Sequence, residues 1–332
     1  MSDTTDTNGI PAPQTFDMSA VSYAVELSLI IVDSLTAINL FGKNLQELFT
    51  GPLQAAMGAA PPTVGGTPES GTSLDLGQDS ANVALSGFGS IVTGGDGTDY
   101  VQGGLGDSTV TLGNGNDSVS LGGLANVVAL GNGNDSVNAG LGMATVAVGN
   151  GDDSIVAEGQ GNRITVGRGL DQIVAGSGND EVQGVGGNDT ITLGGSGNLV
   201  SMIGTQTTLT DAAGRDTIVL TDSTANLTLY GSGDMVFLNG STAAIDDHAQ
   251  GLDLTIGGAV NGTDAIENAA NDPSLLIDLT GGVGGYATTA AVLAALTSDG
   301  HGGTMLALGA HGTIDFLGLG QSHLTAANFH IG

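Results

Sequence analysis

From Leu74 to Leu254 every ninth residue is Val, Ile or Leu, twenty-one positions in a row, and the residues between these anchors form Gly-rich stretches ending mostly in Asp or Asn. A nine-residue unit with one obligatory apolar position is too short to enclose a core of its own, so neighbouring units must stack. The pattern predicts an all-β solenoid with one short strand per unit and two units per coil. Leu76 to Thr255 then holds 20 nonapeptides, or ten coils; at a strand spacing of roughly 4.8 Å such a solenoid is about 50 Å long. Many units carry a second apolar residue two positions beyond the anchor: Leu112, Leu121, Leu130, Val148, Val166, Leu193 and Leu220. Side chains two apart share a strand face, so the core is predicted to be two side chains wide per strand.

The flanks follow other rules. Residues 1–66 read as a helical segment and linker: Asp17 is placed to cap a helix running to about Phe41, and Leu40 to Leu53 suggest a second, closed by Gly51 and Pro52. The stretch Ala24 to Val32 is apolar on most faces and needs a cover, either the first coil of the solenoid or another subunit. Ala55 to Ser73, rich in Ala, Pro, Gly and Thr, reads as a linker. The region from Val21 to Phe49 contains Glu26, Asp33, Lys43 and Glu47, so a membrane span is not expected there. The first residues are acidic and lack the pattern of a cleavable secretory signal. The period fails after Thr255, and residues 256–332 read as a β-rich cap with a short helix over Ala287 to Leu296 and a hairpin from Thr304–Leu308 and Thr313–Leu317.

The chemistry lies in the loops of residues 67–255. Gly94-Gly95-Asp96-Gly97-Thr98-Asp99-Tyr100-Val101-Gln102 fits the nonapeptide G-G-x-G-x-D-x-U-x at every defined position, and Leu112 to Asp117, Leu130 to Asp135 and Val148 to Asp153 follow closely. In these residues the chain resembles the RTX (repeats-in-toxin) calcium-binding β-roll family, over about half its length and more weakly after Thr192. The resemblance implies a parallel β-roll, with Ca²⁺ held between coils by loop carbonyls and the final Asp of each unit. It points to Gly95, Gly97, Asp99, Gly113, Gly115, Asp117, Gly131, Gly133, Asp135, Gly149, Gly151, Asp153, Gly167, Gly169, Asp171 and Asp189 as the metal-binding set. Sixth-position residues alternate between Asp (99, 117, 135, 153, 171, 189) and mostly neutral residues (Ser108, Asn126, Ala144, Asn162, Asn198). Alternate units lie on opposite edges, so one edge carries an acidic ladder and the other a weaker set at Asp180, Asp216 and Asp234. An isolated Gly-Asn-Asp cluster is only a turn former. Six in-phase carboxylates at coil spacing repel one another unless a cation lies between them.

Composition sharpens this picture. With 34 acidic and 4 basic residues the formal charge is −30, which argues against nucleic-acid and anionic-membrane partners. The 59 glycines raise the entropy cost of folding, so the repeats are expected to be poorly ordered without metal. There is no cysteine, hence no disulfide or thiol chemistry. His301, His311, His323 and His330 cluster near the end but match no zinc spacing. No hydrolase, zinc-protease or nucleotide motif occurs, so no enzyme activity is expected. Outward strand positions are small and uncharged: Thr109, Thr111, Val127, Ala129, Thr145 and Ala147 on one sheet, Ser118, Ser120, Ser136 and Asn138 on the other. Charged residues such as Arg163, Glu181 and Asp246 are sparse there. Ser298 to Leu306, Thr313 to Phe316 and Leu324 to Phe329 look like the terminal region of RTX proteins exported by type I secretion. The leading expectation is an extracellular, calcium-folded structural protein that self-associates; a monomeric secreted adhesin is the alternative, and a small polysaccharide-active enzyme a lesser one.

Overall fold

The computed structural model describes residues 63–64, 71–258 and 262–332. The helices expected within residues 1–66 lie outside these. The described chain winds as a parallel β-solenoid, with strands falling alternately into two sheets of 15 and 13 strands. Strands that begin after one edge of the solenoid, such as Tyr100–Gly103, Ser118–Leu121 and Ser136–Asn138, form the first sheet. Those that begin after the other edge, such as Thr109–Thr111, Val127–Ala129 and Thr145–Ala147, form the second.

Register follows from the period. Two nonapeptides make one coil, so Val101 pairs with Val119, Val110 with Val128 and Leu209 with Leu227, each 18 residues apart. A slip of one residue would turn every anchor outward, and the anchors prevent it. From Val83 to Leu254 all of them are buried between the sheets. The second inward column is also buried, through Leu112, Leu121, Leu130, Val148, Val166, Leu193 and Leu220, so the core is two side chains wide as expected. Each such side chain contributes about 1.5–3 kcal/mol on burial. That is needed to offset the ordering of so much glycine.

The coils widen along the chain. Strands lengthen from three residues at Thr109–Thr111 to six at Asn188–Leu193, Gln206–Asp211, Thr224–Leu229 and Thr242–Asp247. Over the same stretch Ile and Leu replace most valine anchors, as at Leu209 and Leu227, and the second column carries the fully buried Met202, Leu220 and Leu229.

Loss of the nine-residue period does not end the winding. Thr263–Glu267 continues the first sheet, pairing Ile266 with Ile245, and Leu276–Leu279 continues the second, pairing Ile277 with Leu254. The insertions that break the period are accommodated in the loops. Thr313–Phe316 and Phe329–Ile331 then add a last parallel strand to each sheet. Thr304–Ala307 runs antiparallel to Thr313–Phe316, the expected hairpin, and the short helix covers Thr289–Ala295, capped by the Thr288 hydroxyl. Phe316 and Phe329 meet edge to face, with ring centroids 6.3 Å apart, and close the core. Within the stretch read as a linker, Thr63–Val64 pairs with Ala84 and Leu85; Ser73–Asp75, which carries the first anchor, Leu74, pairs with Ile91–Thr93.

Candidate metal sites

At the first edge the chain passes from the second sheet to the first through loops of the type Gly94–Asp99. The coils stack here at backbone contact. A Cβ on Gly133, whose φ is 145°, would lie 1.6 Å from the Gly115 carbonyl oxygen, and one on Gly131 would lie 2.3 Å from that of Gly113. Only glycine fits such positions. Gly95, Gly97, Gly113, Gly115, Gly149, Gly151, Gly167 and Gly169 meet neighbouring atoms comparably closely, mostly backbone of the preceding coil. Successive loops therefore form a narrow cradle of carbonyls.

The sixth-position carboxylates point into this cradle. Asp99, Asp117, Asp135, Asp153, Asp171 and Asp189 are all buried. In each, Oδ1 accepts the backbone N–H of the equivalent residue one coil earlier: Ala81 to Asp99, Asp99 to Asp117 and Asp117 to Asp135, each at 2.8 Å, and onward to Asp189. Oδ2 of every one of the six is buried with no hydrogen-bond partner among the described residues. Burial and the neighbouring carboxylates push Asp117 up to about 6 and Asp153 to about 7. Asp189 is likewise raised to about 7, and Asp99, Asp135 and Asp171 are raised by burial. An unpaired buried oxygen is costly. A row of such carboxylate oxygens beside stacked loop carbonyls suits a hard divalent cation, which meets the missing partner and the missing charge together.

Outside the cradle lie two ladders that the periodic reading did not single out. Asn114, Asn132 and Asn150 each bond through backbone N–H and side-chain Nδ2 to Oδ1 of the residue one coil earlier, starting at Asp96. Asn134, Asp152 and Leu170 donate backbone N–H groups to Asn116, Asn134 and Asp152 in the same way. The signal was present as the recurring Gly-Asn-Gly-Asn-Asp and its variants at 18-residue spacing.

The second edge keeps the 18-residue stacking with a different turn, in which Asp107, Ala125 and Met143 adopt left-handed backbone, and with different chemistry. Asn126 Oδ1 accepts the Ser108 N–H at 3.1 Å, and its Nδ2 donates to the carbonyls of Gly122 and Ala139 at 2.9 and 3.1 Å. Asn162 Nδ2 donates to Ala157, Glu158 and Gly159, and Asn198 Nδ2 to Gly194 and Gly195. Each amide gathers carbonyls of its own turn, and Asn126 one more from the next coil, so the buried side chain is satisfied without a charge. Metal-free closure of these turns follows directly.

The charge changes edges along the chain. After Asp189 the first edge continues through hydroxyls, with Thr205 N–H donating to Ser223 Oγ and Ser223 N–H to Ser241 Oγ. Carboxylates now appear on the second edge: Asp180, Asp216 and Asp234, as the spacing suggested, together with Asp211 and Asp247 at strand ends. All five are buried with Oδ2 unpartnered. Asp211 and Asp247 were not anticipated because they occupy the second apolar column, where Leu193 and Leu229 are their neighbours in register.

The model for the RTX calcium-binding nonapeptide repeat matches residues 93–128, 157–191 and 165–199. The solenoid is an RTX β-roll. Its nonapeptides are calcium-binding motifs, and the unpartnered Asp oxygens and glycine cradle fit that ion. Residues 129–156 lie between the matched segments, yet the ladder through Asp135 and Asp153 runs across them unbroken. Searches of curated proteins and of solved structures return no match.

Proposed function

We propose that this calcium-binding β-roll is an extracellular structural protein that folds on binding Ca²⁺ and self-associates into a layer, filament or matrix. The observation that carries the reading is the roll's unguarded surface. Thr111 and Thr145 on one sheet and Ser120, Ser136 and Asn138 on the other are exposed, with Val127 beside them 40% exposed. Flat sheets without charged gatekeepers invite association. Along the second edge Phe88, Leu105, Leu124, Leu141 and Met143 stand exposed in consecutive loops, forming an apolar ridge. Arg163 and Glu181 interrupt the uncharged surface but pair with each other across adjacent strands.

Calcium supplies the trigger. Buried carboxylates without partners oppose folding until a cation neutralises them, and extracellular calcium modules commonly bind at about 10⁻⁴ to 10⁻³ M. A chain exported unfolded from a low-calcium cytoplasm would fold on arrival outside. The terminal strands Thr304–Ala307, Thr313–Phe316 and Phe329–Ile331 overlap the segments that resemble a type I export signal. Among the described residues no helix is long and apolar enough to cross a membrane.

Sedimentation velocity of the purified chain, in chelator and then in millimolar calcium, tests the reading. Expansion in chelator and large species with calcium are expected. Compaction to a monomer would instead favour a secreted binding module, and identical behaviour in both would sink calcium-driven folding. Thr111→Lys with Thr145→Lys should abolish association while leaving the compaction intact. Loss of export on deleting residues 273–332 is the corresponding test of secretion.

A further inference from the structure

The second edge contains an acidic cluster whose geometry differs from the ladder. Asp211 ends the strand Gln206–Asp211, Asp216 closes the turn that follows, and Asp234 occupies the equivalent turn one coil later. One carboxylate oxygen of each lies within 4.8 Å of the other two. All three side chains are fully buried, at 0% exposure. In each, a backbone amide fixes Oδ1: Ala213 N–H on Asp211 at 3.0 Å, Asn198 N–H on Asp216 at 2.6 Å and Asp216 N–H on Asp234 at 3.0 Å. Oδ2 of each has no partner among the described residues.

We propose that Asp211, Asp216 and Asp234 form a discrete three-carboxylate calcium site, the tightest in the chain, set inside the second edge. The inference rests on the calcium-binding reading and deepens it. Asp211 is the distinguishing residue. It stands in the inward column between Leu193 and Leu229, where an apolar side chain would complete the core. A buried carboxylate there without a counter-charge is strongly unfavourable. Arg215, in the same loop, is exposed to solvent.

Oxygens within 4.8 Å of one another can share an ion at a Ca–O length of about 2.3–2.6 Å. An all-oxygen, fully anionic set selects a hard cation over softer metals. On the first edge each Asp stands in a continuous row and must be shared between neighbouring positions. Here three carboxylates converge, already oriented by the backbone, and affinity rises with ligand charge and rigidity. Asp247 repeats the inward carboxylate farther along the column but does not join the cluster.

Calorimetric titration of the full chain with calcium, for wild type, Asp211→Asn, Asp211→Leu and Asp135→Asn, decides the matter. The expected result is one tight ion per wild-type chain above a weaker class, with the tight class weakened about tenfold or more by either Asp211 change. Asp135→Asn should alter the weaker class alone. Asp211→Leu restores the residue type its column neighbours carry, so circular dichroism in calcium should show a folded roll. A tight class that survives both Asp211 changes overturns the site, as does a wild type with a single uniform class. Either result leaves calcium binding by the ladder standing. Absence of any calcium uptake by the wild type would overturn both readings.

Discussion

The two edges of the roll share an 18-residue register and differ in turn geometry, the second edge placing Ala125 and Met143 in left-handed backbone, and in the side chain at the sixth position. On the first edge Asp117 and Asp135 receive a backbone N–H on Oδ1 and leave Oδ2 bare; on the second edge Asn126 receives the same N–H and turns Nδ2 to carbonyls. Substituting NH₂ for O⁻ replaces a demand for a cation with a satisfied donor. The solenoid can therefore be closed along one side without metal while the other waits for it. Farther along the chain the balance shifts: hydroxyls at Thr205, Ser223 and Ser241 close the first edge until Asp264 accepts the Ala243 N–H, and bare carboxylates at Asp211, Asp216, Asp234 and Asp247 stand on the second. Unpartnered carboxylate oxygens thus stand on both edges, mostly in different halves of the roll.

Calcium removal gives the largest expected effect. Chelation should unravel the first edge between Asp99 and Asp189, read as loss of amide exchange protection in strands such as Ser118–Leu121 and Ser136–Asn138. Full protection in chelator would show that the bare carboxylates tolerate burial unaided. Next in size is Gly133→Ala, where the new methyl carbon meets a carbonyl 1.6 Å away at a φ of 145°. A loss of about 3 kcal/mol or more in calcium-saturated stability is expected from thermal unfolding. The same change at Gly161 on the second edge, where the nearest atom is 3.9 Å away at a φ of 73°, should cost about 1–2 kcal/mol.

Exchanging the side chains tests the comparison at its root. Asn126→Asp should destabilise the metal-free protein by about 1–3 kcal/mol through a bare buried oxygen, and confer new calcium dependence on the second edge. Asp135→Asn should do the reverse, raising the melting temperature in chelator while lowering calcium uptake. Equal melting temperatures for all three proteins in chelator would remove the amide-for-cation argument.

The smallest effect concerns pH. Burial raises Asp117 to about 6 and Asp153 and Asp189 to about 7, from an ordinary value of 3.8. The folded state then holds protons that the unfolded chain has released, so this contribution is present below about pH 4 and is lost as pH rises to about 7. In chelator the protein should melt higher at pH 5 than at pH 8, and Asp153→Asn should flatten the slope. A higher melting temperature at pH 8 would contradict the burial of these groups. With calcium present the sense reverses, since the ion competes with the protons and binds better as pH rises.

Much of this was legible in the chain itself. The nine-residue spacing of Val83, Val92 and Val101 fixes alternation between two sheets, the 18-residue register and the buried core, because a strand's two faces and a coil's two edges are periodic functions of sequence position. It likewise assigns Asp99 to Asp189 to one edge. Asp211 and Asp247 escaped the pattern because they stand at apolar positions and carry no repeat signature. Continuation of the winding through Ile266 and Ile277 escaped it because insertions change spacing without changing pairing.

The sequence alone determined the period, the sheet faces and the edge on which each sixth-position residue falls, since these follow from local geometry repeated many times. Only the tertiary structure decided which oxygen of each Asp stays bare, that Asn126 fills its own turn, and that Asp211 meets Asp216 and Asp234. Those outcomes depend on backbone groups and side chains from adjacent coils approaching within a few ångströms, a distance that spacing along the chain does not encode.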